Sequence, residues 1–194
     1  MIYITGDTHI PINLEKLTDE KFPEQEQFTK SDYIIITGDF GGIWDGSDEE
    51  KFWIRWLNER NFTTLFVDGN HENFEIDGIK IFTMGGATSI DKIYRVEGKS
   101  WWAEEMPSES EYQNAIENLT KHDYKVDYII THCCPDSIQN KINPYYSHDK
   151  LTNFLEAFVK EKCNYKHWFF VHYHEDLEID SKHTCLYHRI IKIK

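Results

Sequence analysis

Five short runs rich in β-branched and aromatic residues limit the folds open to this chain more than any other feature of its sequence. The runs cover residues 2–5, 32–37, 63–67, 127–131 and 168–171. Their composition and length indicate buried strands, because such side chains pack well on a pleated surface. Predicted helices alternate with these strands, and this alternation favours an α/β fold with a parallel component in its sheet.

Three helices are predicted, over residues 47–60, 108–121 and 147–162. The first two begin with a capping signature, in which Ser47 or Ser108 is followed three residues later by a glutamate. The first helix also has an apolar face that we expect to pack in the core, formed by Phe52, Trp53, Trp56 and Leu57.

Two further segments predict a second, antiparallel portion of sheet. Residues 78–96 contain short alternating runs, and residues 178–193 are typical of a terminal hairpin with its turn near residues 180–182. No repeat or low-complexity linker interrupts the chain, and its length fits one domain over residues 1–194.

Composition excludes some classes of partner. The net charge of −13 and the lack of a basic stripe argue against tight non-specific binding to duplex nucleic acid, which depends on Lys and Arg. The chain has no run of about 18 apolar residues and no N-terminal secretion signal, so we expect a cytosolic protein without a membrane span. Its cysteines lack zinc-ribbon or redox spacing and are expected to be reduced, mostly buried thiols: Cys133, Cys134, Cys163 and Cys185.

Each of the five predicted strands stops at side chains that can bind a metal ion. In chain order these are Asp7 with His9, Asp39, Asn70 with His71, His132, and His172 with His174. Ligands bind beyond the carboxyl ends of the strands in open α/β sheets, so these residues are expected to converge on one site. Each piece alone also has an ordinary explanation, such as an Asx turn at Asp7 or a hydrogen-bonded core histidine at His132. The ordered series is more specific than any of its members.

The series resembles the signature of the calcineurin-like metallophosphoesterase superfamily. The matching stretches are "GDTH" at 6–9, "GDFGG" at 38–42, "GNHE" at 69–72, "TH" at 131–132 and "VHYH" at 171–174. One position departs from the pattern, since Val171 stands where the family usually has glycine. The resemblance implies an α/β fold of two facing mixed β-sheets flanked by helices, a four-layer sandwich.

The resemblance also implies a dinuclear metal site. Asp39 would bridge two divalent transition-metal ions, one completed by Asp7, His9 and His174 and the other by Asn70, His132 and His172. Imidazole and carboxylate ligands suit manganese, iron, zinc, cobalt or nickel, and manganese is expected first. His71 corresponds to the residue that stabilises or protonates the leaving oxygen, although it could instead support Asn70.

By the same resemblance the chain is expected to hydrolyse a phosphomonoester or phosphodiester by attack of a metal-bridging hydroxide. Gly42 and Ile43 stand where the protein-phosphatase branch has a carboxylate and an arginine, which argues against a phosphoprotein substrate. Specificity is expected from loops at residues 43–48, 97–107 and 136–147. The alternative is a non-catalytic scaffold that acts through protein contacts, favoured only by Val171. The substrate and the oligomeric state stay open at this point.

Overall fold

The computed structural model describes residues 1–43, 46–67, 73–89, 94–99 and 101–194, and it also leaves out the side chains of residues 73, 74 and 104. Within these ranges the chain forms two mixed β-sheets with helices on their outer faces. The strands are β1 (Ile2–Thr5), β2 (Tyr33–Thr37), β3 (Thr63–Val67), β4 (Asn73–Ile76), β5 (Ile79–Met84), β6 (Tyr128–Thr131), β7 (His167–Phe170), β8 (Leu177–Asp180), β9 (His183–Cys185) and β10 (Ile190–Lys192).

The first sheet has four strands in the order β10-β1-β2-β3, and the second has six in the order β4-β5-β6-β7-β9-β8. Strands β1, β2 and β3 run parallel, and β10 lies antiparallel to β1. In the second sheet β5, β6, β7 and β9 run parallel, while β4 and β8 pair antiparallel at the two edges. Each sheet therefore directs the carboxyl ends of its central strands to one edge.

The strands are apolar on both faces because each sheet is covered on both sides. Ile4 and Ile35 of the first sheet share one buried cluster with Ile130 and Phe169 of the second, so the two sheets pack face to face. Side chains alternate along a strand, and Ile34 accordingly points to the outer face of the first sheet, where it joins a separate cluster. A third cluster lies on the outer face of the second sheet.

Four α-helical segments are described: α1 (Asp48–Asn58), α2 (Glu109–Lys121), α3 (Asp136–Ile142) and α4 (Lys150–Phe154). Ser47 caps α1 by accepting from the Glu50 N–H, and Ser108 and Glu111 form the predicted capping box of α2. Helix α4 continues as a π-helix over Leu155–Lys160, and short 3₁₀ helices cover Leu14–Leu17, Pro23–Gln27 and Ala103–Glu105. In the described part of the chain no helix is both long and apolar enough to cross a membrane.

The expected fold of two facing mixed sheets flanked by helices is confirmed. All five predicted strands form, but they divide between the sheets, with β1, β2 and β3 in one and β6 and β7 in the other. The four cysteines are free thiols, three of them buried. Burial raises the pKa of Cys163 and Cys185 to about 12 in each case.

Four local predictions were wrong. The third helix begins at Lys150 rather than at residue 147, because the Asp149 carboxylate caps it by accepting from two backbone N–H groups. The segment 136–147 is not wholly a loop, since α3 occupies its first half. Residues 178–193 form a β8-β9 hairpin as expected, but β10 leaves it and pairs with β1 in the other sheet. Phe52 is exposed rather than part of the core, and its ring meets that of Trp53 edge to face.

Candidate metal centre

The predicted ligands of the described chain lie just beyond the carboxyl ends of four parallel strands. Asp7 and His9 follow β1, Asp39 follows β2, His132 follows β6, and His172 and His174 follow β7. Because the two sheets face each other, the ends of β1 and β2 meet those of β6 and β7. Asn70 and His71 lie outside the described residues.

Asp7 is the fully buried centre of the group. Its Oδ1 accepts a hydrogen bond of 2.8 Å from the backbone N–H of Asp39. Its Oδ2 is buried, has no hydrogen-bond partner within the described residues, and lies 3.7 Å from Nε2 of His174. Nε2 of His9 lies 3.4 Å from Oδ2 of Asp39. Two imidazoles and two carboxylates are thus arranged around one small volume.

His132 and His172 approach this volume from the second sheet. Their rings meet edge to face with centroids 5.1 Å apart. Nε2 of His132 is buried, lacks a hydrogen-bond partner in the described part of the structure, and lies 3.9 Å from Oδ1 of Asp7. Asp7, Asp39 and His132 each offer a ligand atom, and these atoms all lie within 4.8 Å of one another.

These side chains fit a divalent cation. Buried polar atoms are normally hydrogen-bonded, so an unpartnered carboxylate oxygen and an unpartnered imidazole nitrogen in one place need a physical explanation. A cation supplies one, because it binds both kinds of atom through their lone pairs. Burial and the neighbouring His132 lower the pKa of His172 to about 3, so its ring is neutral and able to act as a ligand.

The carboxylate of Asp39 dominates the charge at the solvent side of the group. Its hydrogen bond to His9 raises the pKa of that histidine and holds the pKa of Asp39 well below its usual range. Both groups therefore favour their charged forms when no cation is present. His9 and Asp39 thus form an ion pair at the point where a cation would contact both residues.

The backbone at this edge is strained at the histidines themselves. His9, His172 and His174 have φ angles of 39°, 75° and 51°, in a region that costs a non-glycine residue on the order of 1–3 kcal/mol. Val171 does not share this conformation: it is fully buried between the sheets, and its N–H donates to the His132 carbonyl over 2.9 Å. The sharp turn of the motif lies at His172. Strain of this kind clusters at functional sites.

Two residues that touch the site histidines were missed by the sequence analysis. Asn13 lies 3.1 Å from Nδ1 of His9, and the ring of Tyr187 stacks on that of His174 with centroids 4.9 Å apart. Neither follows a predicted central strand or has a metal-ligand spacing. The sequence therefore contains no local signal that could have identified them.

Comparison with known proteins agrees with this geometry. No curated protein matches the chain. The family model described as calcineurin-like phosphoesterase matches residues 1–176, a stretch that includes all the predicted ligands. The chain therefore belongs to the calcineurin-like phosphoesterase family.

Proposed function

We propose that the protein is a metal-dependent phosphoesterase that hydrolyses a phosphomonoester or phosphodiester at a dinuclear centre. Members of this family are phosphoester hydrolases that use divalent metal ions. The observation that carries the proposal is the convergence of Asp7 Oδ2 and His132 Nε2, both buried and unpartnered in the described chain, with Asp39 beside them.

The proposed ligand groups follow the two sheets. Asp7, His9 and His174 would hold one ion, while His132 and His172, with Asn70, would hold the other. Asp39 would bridge them, and its exposed carboxylate, with Oδ2 3.4 Å from His9, supports that role. Manganese is the metal proposed first. Iron, zinc, cobalt and nickel are alternatives, because imidazole and carboxylate ligands do not discriminate sharply among these metals.

When bound, the two cations would act as Lewis acids toward the phosphate ester and lower the pKa of a water between them to about 7, supplying hydroxide as the nucleophile. The protein's own part is to fix the ligands before substrate arrives. Asp7 is held by the Asp39 N–H, and the strained turns aim His9, His172 and His174 at the same volume. His71 is proposed to donate a proton to the leaving oxygen, as a group that titrates near neutrality can.

The non-catalytic alternative depended on Val171. That residue fills space between the sheets while the histidines after it remain at the cluster, so it gives the alternative little support. A phosphate-ester substrate remains the proposed partner. Gly42 and Ile43 argue against a phosphoprotein substrate, because they stand where the protein-phosphatase branch has a carboxylate and an arginine.

Metal content and hydrolysis test the proposal together. Protein loaded with Mn²⁺, Co²⁺, Ni²⁺ or Zn²⁺ should hydrolyse an activated mono- or diester and lose that activity with a chelator. Asp39→Asn should lose more activity than His71→Asn, because the bridge contacts both ions whereas general acid catalysis contributes about 10²–10⁴-fold. Only the Asp39 variant should be depleted in metal. Loaded protein that is inactive on both ester classes would refute the proposed function.

A further inference from the structure

Tyr187 and Asn13 connect the two histidines that approach Asp7 and Asp39. The Tyr187 ring is stacked on His174 at an angle of 24°, and its hydroxyl donates to Oδ1 of Asn13 over 3.5 Å. The same Oδ1 lies 3.1 Å from Nδ1 of His9. The rings of His9 and His174 in turn meet edge to face with centroids 5.1 Å apart. Four side chains thus form a closed ring of contacts.

The contact between Asn13 and His9 selects a tautomer. An amide oxygen can only accept, so Nδ1 of His9 must carry a proton. Nε2, which lies on the side of Asp39, is then the nitrogen that would lose its proton and give its lone pair to a cation. Partners of this kind orient metal-binding imidazoles and commonly change metal affinity by 10–100-fold when they are lost. The stacked Tyr187 ring restricts His174, whose side chain is otherwise half exposed.

A buried ammonium group holds Tyr187 against the Asp7 turn. Nζ of Lys16 donates to the carbonyls of Gly6, Asp7 and Tyr187 over 2.8, 2.8 and 2.7 Å. These are all the donors that a lysine has. A Cβ added at Gly6 would lie only 2.6 Å from the Leu186 carbonyl oxygen, so the two turns are in direct contact.

The carboxylate of Asp176 fixes the other side of the Tyr187 turn. It accepts from the backbone N–H groups of Tyr187, His188 and Arg189 over 2.8, 3.0 and 3.2 Å. Together with Lys16 it makes the position of Tyr187 a rigid extension of the Asp7 turn.

The contacts are one-sided. Tyr187 and Asn13 touch His9 and His174, whereas the rings in the described chain that contact His172 belong to His132 and Tyr173, with centroids 5.1 and 5.2 Å from its own. The φ angles of His9 and His174 are 39° and 51°, and such strain persists only where the surroundings hold it. Loss of the Tyr187 and Asn13 contacts should therefore release one pair of histidines and leave the other pair in place.

We propose that Tyr187 and Asn13 are positioning residues that set the affinity of one metal position, the one held by Asp7, His9 and His174, and not that of the other. The inference rests on the ligand groups of the proposed function. It assigns the turn between β9 and β10 a role in metal binding that no motif of the sequence indicates.

Titration with Co²⁺ tests the inference without any substrate, followed by visible absorption and by equilibrium dialysis. Wild-type protein should bind two ions. Tyr187→Leu and Asn13→Ala should each weaken one of the two about 10–100-fold and leave the second within twofold, while Tyr187→Phe, which keeps the stacked ring, should stay close to wild type. Circular dichroism checks that each variant is folded. If Tyr187→Leu does not fold, Asn13→Ala alone tests the inference.

Tyr128→Leu is the matched control. Tyr128 is also half buried, and its hydroxyl donates to the Ile193 carbonyl over 3.2 Å, but none of its described contacts is with a site histidine. It should bind both ions like wild type. Tyr187 and Asn13 variants that bind both ions normally, or that weaken both equally, overturn the inference. If wild-type protein binds two ions and the variants lose one selectively, but no ester is hydrolysed, the inference is supported and only the proposed function is refuted. If wild-type protein binds fewer than two ions, both are refuted.

Discussion

Gly38→Ala adds a single carbon beside the Asp7 carboxylate, and the structure predicts a large effect from it. Gly38 is buried directly before Asp39 and has a φ of +85°. A Cβ added there would come closer than 3.0 Å to Oδ1 of Asp7 and to Cγ2 of Val171, and would lie 3.2 Å from Cδ2 of His132. Folded proteins do not contain such Cβ contacts, so the neighbours must move.

Gly78 separates the two parts of that effect. Its φ of +76° is similar, but a Cβ added there meets no atom within 4 Å. Gly78→Ala should therefore cost only the conformational penalty of a positive φ, about 1 kcal/mol. Gly38→Ala should lose that amount plus about 1–3 kcal/mol for overpacking, roughly 2–4 kcal/mol in all. Displacing the Asp7 carboxylate by roughly 1 Å should also reduce hydrolysis about a hundredfold.

Urea unfolding, Co²⁺ titration and ester hydrolysis on the two variants measure these effects. Gly78→Ala should keep wild-type metal binding and activity, whereas Gly38→Ala should bind metal more weakly and hydrolyse the ester about a hundredfold more slowly. Adding Val171→Gly to the Gly38 variant relieves one close contact but leaves the one with Asp7, so metal binding should stay impaired. Equal behaviour of the two alanine variants would refute the reasoning, and recovery in the double variant would show that the carboxylate is not the group displaced.

Three further predictions concern single positions. Val171→Gly in the wild-type background should change activity or metal affinity by less than about tenfold, or about 1.4 kcal/mol, whereas a gain of several hundredfold would mean that the native site is impaired. Burial lowers the pKa of Lys16 from 10.5 to about 8, so between these values the unfolded chain holds more protons and the free energy of unfolding rises with pH. The rise should reach about 1.5 kcal/mol between pH 8 and pH 9.5 and be absent in Lys16→Met, as urea unfolding at both pH values would measure. Burial raises the pKa of Cys163, Cys185 and the two adjacent thiols, so a thiol reagent near neutral pH should label the native protein slowly and label all four cysteines in urea; rapid labelling of Cys133, Cys134 or Cys185 in the native protein would contradict their buried placement.

The sequence predicted the elements that local chemistry determines. The N-caps at Ser47 and Ser108 form as expected, because a serine and a nearby glutamate satisfy the free N–H groups of a helix start without help from the rest of the fold. The six predicted ligands that the structure describes also lie together beyond their strand ends. Parallel strands leave their carboxyl ends at one edge, so an order in sequence became a cluster in space.

The missed features depend on contacts between distant parts of the chain. Helix α3 has seven residues and no side-chain cap, and its place depends on burying Ile138 and Gln139. Strand β10 pairs with β1 rather than with the adjacent hairpin, so its register follows from a partner about 190 positions away. Tyr187 reaches His174 for the same reason, since the turn before β10 is brought to the end of β1. No local pattern could indicate these pairings.

Val171 shows how the fold accommodates the one departure from the family signature. A valine at this position can be held in the core because Gly38, opposite its Cγ2, has no Cβ, so the two residues are complementary in size. The turn that a glycine would make is then made one residue later, where His172 takes a φ of 75°. The positive φ is therefore adopted by His172, a proposed ligand, and not by a glycine at position 171, which would adopt it without strain. The remaining contacts must hold that ligand in place, and they include the His132 ring and the His132 carbonyl that accepts from Val171. The valine is thus compatible with an intact metal centre, provided that position 38 stays a glycine.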